Sequence, residues 1–133
     1  MDFVSIRIIT ADIQRLVGFY ERVTGIAPKW STEDFAEIVT PHGVLAIAHE
    51  RTMKLFAQGA ASPGANRSVI LELKVDDVDA TSQRIAPHLG DVLQPPTTMP
   101  WGNRSLLFRD PDGNLVNFFT PVTDAAKQRA ARS

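Results

Sequence analysis

PWGNRSLLFRDPDGNLVNFF, residues 100–119, holds two short apolar runs on either side of Asp110-Pro111-Asp112-Gly113. An apolar run, a tight turn and a second apolar run spell a β-hairpin over 102–109 and 114–120. Asp110 can accept hydrogen bonds from the turn backbone, Pro111 fixes φ, and Gly113 permits positive φ. The two aspartates are therefore read as structural rather than catalytic.

Working outward, the same pattern occurs earlier. FAEIVT (35–40) and GVLAIAHE (43–50) form a hairpin around Pro41-His42-Gly43. Each hairpin is preceded by a strand and a helix. FVSIRIIT (3–10) alternates as a strand and is followed by Asp12 as N-cap. Ile13, Leu16, Val17 and Tyr20 come next at helical spacing, and Gly25 sits where a C-cap belongs. SVILELKV (68–75) is the second such strand, Asp77 its cap residue, and Val78 to Ala86 a helix ended by Pro87. Trp30 lies in a short extended piece; residues 91–94 read as a short strand and PPTTMP (95–100) as a connector.

At an offset of 65, Asp12 meets Asp77, Ile13 meets Val78 and Gly25 meets Gly90. At an offset of 70, Pro41-His42-Gly43 meets Pro111-Asp112-Gly113, and Leu45 meets Leu115. The chain thus reads as a single α+β domain built from a duplicated βαβββ unit. The N-terminal module covers 1–57, a Gly/Ala/Ser/Pro-rich linker 58–66, the C-terminal module 67–122 and a polar tail 123–133.

Composition bounds the partners. The 133 residues are 44% hydrophobic and 22% charged, an ordinary globular balance. A formal net charge of −1 leaves no basic excess for phosphates, so nucleic acid is not an expected partner. With no cysteine there is no disulfide, thiolate metal site or Cys nucleophile. No segment approaches the roughly 20 apolar residues that span a bilayer. Met1-Asp2-Phe3-Val4 begins no signal sequence, so the expectation is a cytoplasmic protein with no membrane partner. No Ser-His-Asp order, phosphate loop or paired catalytic carboxylates is evident.

Three pieces, in this order and spacing, carry a family resemblance: Asp12…Phe19-Tyr20, Val75-Asp76-Asp77-Val78-Asp79, and Pro100-Trp101-Gly102…Arg109-Asp110-Pro111-Asp112-Gly113-Asn114. With the duplicated unit, they make the chain resemble the vicinal-oxygen-chelate superfamily over about residues 3–121. That group holds glyoxalase I, bleomycin-resistance proteins, fosfomycin-resistance enzymes and extradiol dioxygenases. The resemblance implies two βαβββ modules forming curved mixed sheets around a cup, the glyoxalase/bleomycin-resistance fold, often with two chains sharing the cup. It also implies where metal-using members place ligands: a His in the first strand of each module and a Glu in the last. Carried over, those positions are Ser5, Ile47, Ile70 and Asn117. Ile has no donor, and neutral Ser and Asn oxygens bind transition metals weakly. The expectation is no metal and no other cofactor. His42 and His88 read as surface residues, and His49 as a polar residue able to face the cup.

If Ser5 faces the cup, so does Arg7; the same alternation takes Ile70 to Glu72 and Asn117 to Phe119. Arg7 and Glu72 are equivalent at the offset of 65. Either they pair with each other, or Arg7 takes an anionic ligand while Glu72 takes a cation or acts as a base. Trp30 and Trp101 line the cup or pack in the core. The expected function is metal-free binding of an apolar or aromatic small molecule at a homodimer interface, of sequestration or antibiotic-resistance type. The alternative is a lyase- or dioxygenase-like enzyme, metal-independent or with an atypical metal site, with Glu72 as the candidate catalytic residue.

Overall fold

A computed structural model describes residues 1–131. Its contacts separate into two compact units, Met1–Asn66 and a second that starts at Arg67.

In the first unit β1 (Ser5–Thr10) leads into α1 (Ile13–Thr24), followed by β2 (Lys29–Thr32), β3 (Phe35–Val39) and β4 (Val44–His49). The Asp12 carboxylate accepts the Arg15 N–H at 3.1 Å and so satisfies one orphan donor of the helix N-terminus. Gly25 ends the helix in the left-handed region, φ 71°, its N–H donating to Glu21. Between these caps Ile13, Leu16, Val17, Tyr20 and Val23 form a buried stripe. The sheet order is β1-β4-β3-β2, with β1 parallel to β4 and the other pairs antiparallel.

The second unit repeats this plan. β5 (Ile70–Lys74), α2 (Val78–Ile85), β6 (Val92–Thr98), β7 (Asn103–Arg109) and β8 (Leu115–Pro121) give the sheet β5-β8-β7-β6, with β5 parallel to β8. Asp77 caps α2 by accepting the Ala80 N–H. Thr120 straps the last strand to the start of α2: its hydroxyl donates to the Val75 carbonyl and accepts the Val78 N–H, both at 2.9 Å. A closing helix, α3 (Asp124–Ala131), packs against β8. Residues 132–133 of the expected polar tail lie outside the described residues.

After β4, Glu50–Leu55 forms a 3₁₀ turn. Two local expectations change. The helix begun at Val78 ends at Ile85, and Pro87 sits in a separate 3₁₀ turn over Ala86–His88. The short strand expected over 91–94 runs on through Pro95 and Pro96 to Thr98. Prolines are tolerated there because β6 is an edge strand and its register shifts twice, between Val92 and Gln94 and between Gln94 and Thr97.

The hairpins differ by one residue. Val39 pairs with Val44 across residues 40–43, whereas Arg109 pairs with Leu115 across residues 110–114. Ser5 stands opposite Val44, and Ile70 opposite Leu115. The first strands therefore correspond at an offset of 65 and the last strands at 71, not 70.

Gly102 carries a tight constraint. Its φ is 94°, its carbonyl accepts the Val122 and Thr123 N–H groups, and an added Cβ would meet Thr123 Oγ1 at 1.9 Å. Gly102→Ala is expected to cost about 2–4 kcal/mol in urea unfolding, from the clash and the positive φ together. Gly43→Ala, where a Cβ meets nothing within 4 Å, should stay within about 0.5 kcal/mol of wild type.

Candidate functional site

Strand register decides which side chains share a face. In the first module Ser5, Arg7 and Ile9 stand in register with Val44, Ala46 and Ala48, which in turn face Val39, Glu37 and Phe35. The opposite face carries Ile8, Ile47, Ala36 and Ile38, the last three almost fully buried on the strands against which α1 packs. The first face is not left bare. The 3₁₀ turn folds back over it, so that Met53 joins Ile9 and Ala48 in a core cluster flanked by Phe35. The same turn brings Phe56 to Arg7, whose Cζ lies 5.0 Å from the Phe35 ring centroid and 5.3 Å from that of Phe56.

Two devices fix the turn. His49 Nδ1 accepts the Arg51 N–H at 3.1 Å, and the Arg51 guanidinium Nε donates to both Asp34 oxygens at 2.8 Å. That hydrogen-bonded guanidinium holds the Asp34 carboxyl below its ordinary pKa.

In the second module Ile70, Glu72 and Lys74 stand in register with Leu115, Asn117 and Phe119, and Asn117 and Phe119 face Leu107 and Ser105. The other face holds Leu71, Val116, Phe118, Leu106 and Phe108, all buried, with Phe108 and Phe118 edge-to-face at 5.1 Å. α2 packs on this sheet. On the first of these faces Asn117 is only 8% exposed, and its Nδ2 donates to Glu72 Oε2 at 2.8 Å. The carboxylate thus sets the amide's orientation, because it can only accept. Asn117 Oδ1 is left buried with no hydrogen-bond partner among the described residues, a state worth about 1–3 kcal/mol of lost solvation. Arg104 is committed elsewhere: it donates to Asp79 at 2.9 and 3.1 Å, ties β7 to α2 and lowers the Asp79 pKa.

The structure therefore places Ser5 and Arg7 on one face of the first module, and Ile70, Glu72, Asn117 and Phe119 together on one face of the second. Four expected site residues lie elsewhere. Ile47 pairs with Ile8 on the α1 side, because the first hairpin loop is one residue shorter and every later side chain changes face. His49 follows Ile47 to that side and caps the 3₁₀ turn. Trp30 stands opposite Ala36, again on the α1 side. Trp101 lies in the turn before β7, 57% exposed, and its carbonyl accepts from Arg129. The residue that answers Asn117 in the first module is Ala46, opposite Arg7 as Asn117 is opposite Glu72. Phe35, Phe56 and Ala46 were not legible as site residues. Phe35 and Ala46 would have followed from counting back from the shorter loop; no sequence signal marks Phe56.

A sequence profile of the Glyoxalase/Bleomycin resistance protein/Dioxygenase superfamily matches residues 2–118. The chain belongs to this superfamily. It is 25% identical over 127 residues to YraH, an uncharacterized protein of Bacillus subtilis, covering 90% of this chain and 98% of that one. A glyoxalase/bleomycin resistance protein/dioxygenase family enzyme from Burkholderia phytofirmans shares the fold at TM-score 0.79 and 19% identity, over 92% of this chain and all of that one. A lactoylglutathione lyase from Agrobacterium tumefaciens shares it at TM-score 0.69 and 20% identity, over 90% and 92% of the two chains.

At the first and last strand of each module, where the resemblance implies metal ligands, the register-matched residues are Ser5 and Ala46 in the first module and Ile70 and Asn117 in the second. Ala46 and Ile70 have no donor atom, and a neutral hydroxyl or amide binds a divalent transition metal weakly. Among the described residues no group of three or more His, Cys, Asp or Glu side chains could hold a metal ion. No helix among them is long and apolar enough to cross a membrane.

The Glu72–Asn117 contact makes a sign-specific prediction. Asn117→Asp replaces the amide donor by a second carboxylate and so trades a hydrogen bond for like-charge repulsion. Its urea midpoint should lie below that of Asn117→Ala at about pH 8, and the gap between the two variants should narrow at about pH 4, where added protons relieve the repulsion.

Proposed function

We propose that this chain is a small-molecule-binding member of its superfamily, of sequestration or resistance type. It acts without a metal or other cofactor and holds an apolar or aromatic ligand in a cup at a homodimer interface in the cytoplasm. The observation that supports this most directly is the Glu72–Asn117 pair, an exposed carboxylate fixed by a buried amide on a face that also carries Ile70, Leu115, Phe119 and Lys74. Ile70 is 48% exposed on the same face, and Phe119 is partly exposed beside Asn117. Apolar surface supplies affinity by burial, and one polar anchor supplies orientation.

A second reading keeps the same residues. Asn117 holds one oxygen of Glu72 and leaves the other free of that contact. A carboxylate fixed in this way is placed to take a proton from a bound ligand, which is the role of a general base in a metal-independent enzyme.

Calorimetric titration of wild type with a panel of neutral aromatic compounds tests the first reading. One ligand per chain is expected, with affinity falling about tenfold or more in Ile70→Asp, whose charge opposes apolar burial. A panel with no binder up to millimolar concentration overturns it. Product analysis of the bound compounds tests the second: turnover must appear in wild type and vanish in Glu72→Gln. Sedimentation velocity should show a dimer.

A further inference from the structure

We propose that Arg7, with Phe35 and Phe56, forms a carboxylate-recognition site, so that the ligand of this protein is an aromatic or apolar acid rather than a neutral compound. The inference rests on the small-molecule-binding reading above and narrows it.

Arg7 is exposed on the face of the first module opposite α1, yet its guanidinium is not adrift in solvent. It lies over two aromatic rings, at 5.0 and 5.3 Å. Ring faces attract a guanidinium and replace part of its hydration, but they accept no full hydrogen bond from it. Among the described residues of the first module no carboxylate or carbonyl accepts from the Arg7 guanidinium. An exposed guanidinium held in this way presents a planar fork of donors, whose matching partner is a planar two-oxygen anion held by paired charge-assisted hydrogen bonds.

The surroundings favour a ligand at this place. Ala46, opposite Arg7, and Ala48, in the next row, are both buried, Ala48 in the cluster with Ile9 and Met53 that Phe35 flanks, so the open side of the site lies at the exposed Arg7 and Phe56. The acid in the same row, Glu37, stands two strands from Arg7, roughly 10 Å away at the usual strand spacing, and Lys29 is directly opposite it. Phe56 is 62% exposed, an aromatic surface beside the cation on which a ligand ring can lie. It is placed by a turn that His49, Asp34 and Arg51 pin at its start and the Phe56 N–H to Met53 carbonyl bond closes at its end. A pinned turn that ends in an exposed ring over a cation is organised before any ligand arrives.

The test uses four probes of one shape: naphthoate, naphthamide, naphthylmethylamine and naphthyl phosphate. Each is titrated by calorimetry and by amide chemical-shift mapping. Wild type should bind naphthoate about tenfold tighter than naphthamide, the scale of one charge-assisted pair. Shifts should centre on Arg7, Phe35 and Phe56, and added salt should shrink the preference. Arg7→Gln should bind acid and amide equally, Arg7→Lys should keep part of the preference, and Phe56→Ala should weaken both probes. Equal binding of acid and amide by wild type overturns the carboxylate site while leaving small-molecule binding intact. A preference that survives Arg7→Gln, or tighter binding of the amine or the phosphate, also overturns it. Binding of no probe overturns it too, and the neutral panel above then decides the broader reading separately.

Discussion

Asp110 holds the hairpin of the second module at several points. Its side chain accepts the Asp112 and Asn114 N–H groups at 2.9 Å and the Asn114 amide at 2.8 Å. Its own backbone closes the loop to Asn114 and Gly113 at 3.0 Å. A loop secured in this way can carry one residue more than its counterpart, residues 40–43, which Thr40 and Gly43 close by themselves. Because side chains in a strand alternate, loop length fixes which half of each last strand meets the helices and which half faces the other way. The placement of Asn117, Ala46 and their partners follows from that constraint.

The fold was legible in the sequence because its signals are local. Asp12, Asp77 and Gly25 act through hydrogen bonds and backbone conformations confined to a single turn, and the hairpins announce themselves through Pro and Gly. The site was only half legible because it depends on a count carried across a loop. On the second module, where the count began from the correct turn, Ile70, Glu72, Asn117 and Phe119 fall together. On the first, aligning the turn glycines hid the missing residue and sent Ile47 and His49 to the wrong face. β6 was hidden for a different reason. Two prolines argue against a strand unless the strand is known to be an edge, and that is a property of the sheet rather than of the segment.

Duplication has preserved the scaffold and let the chemistry diverge. The slot opposite the third residue of β1 holds a methyl group in one module; the equivalent slot in the other holds a buried amide bound to an acid. The residues facing those slots, Arg7 and Glu72, carry opposite charges. Each makes its contacts in its own module in a different way, one by stacking on rings and the other by hydrogen bonding. Equivalent positions of the duplicated unit have thus become unlike in charge and in the contacts they make.

Pro95 and Pro96 sit in the outermost strand of their sheet. Neither has an N–H to donate, and the register of the pairing shifts on either side of Gln94. An incoming extended segment from another chain would find no continuous ladder to extend along this rim. The proline doublet, in an edge strand of interrupted pairing, thus leaves fewer amides for an incoming strand to pair with than an unbroken edge would.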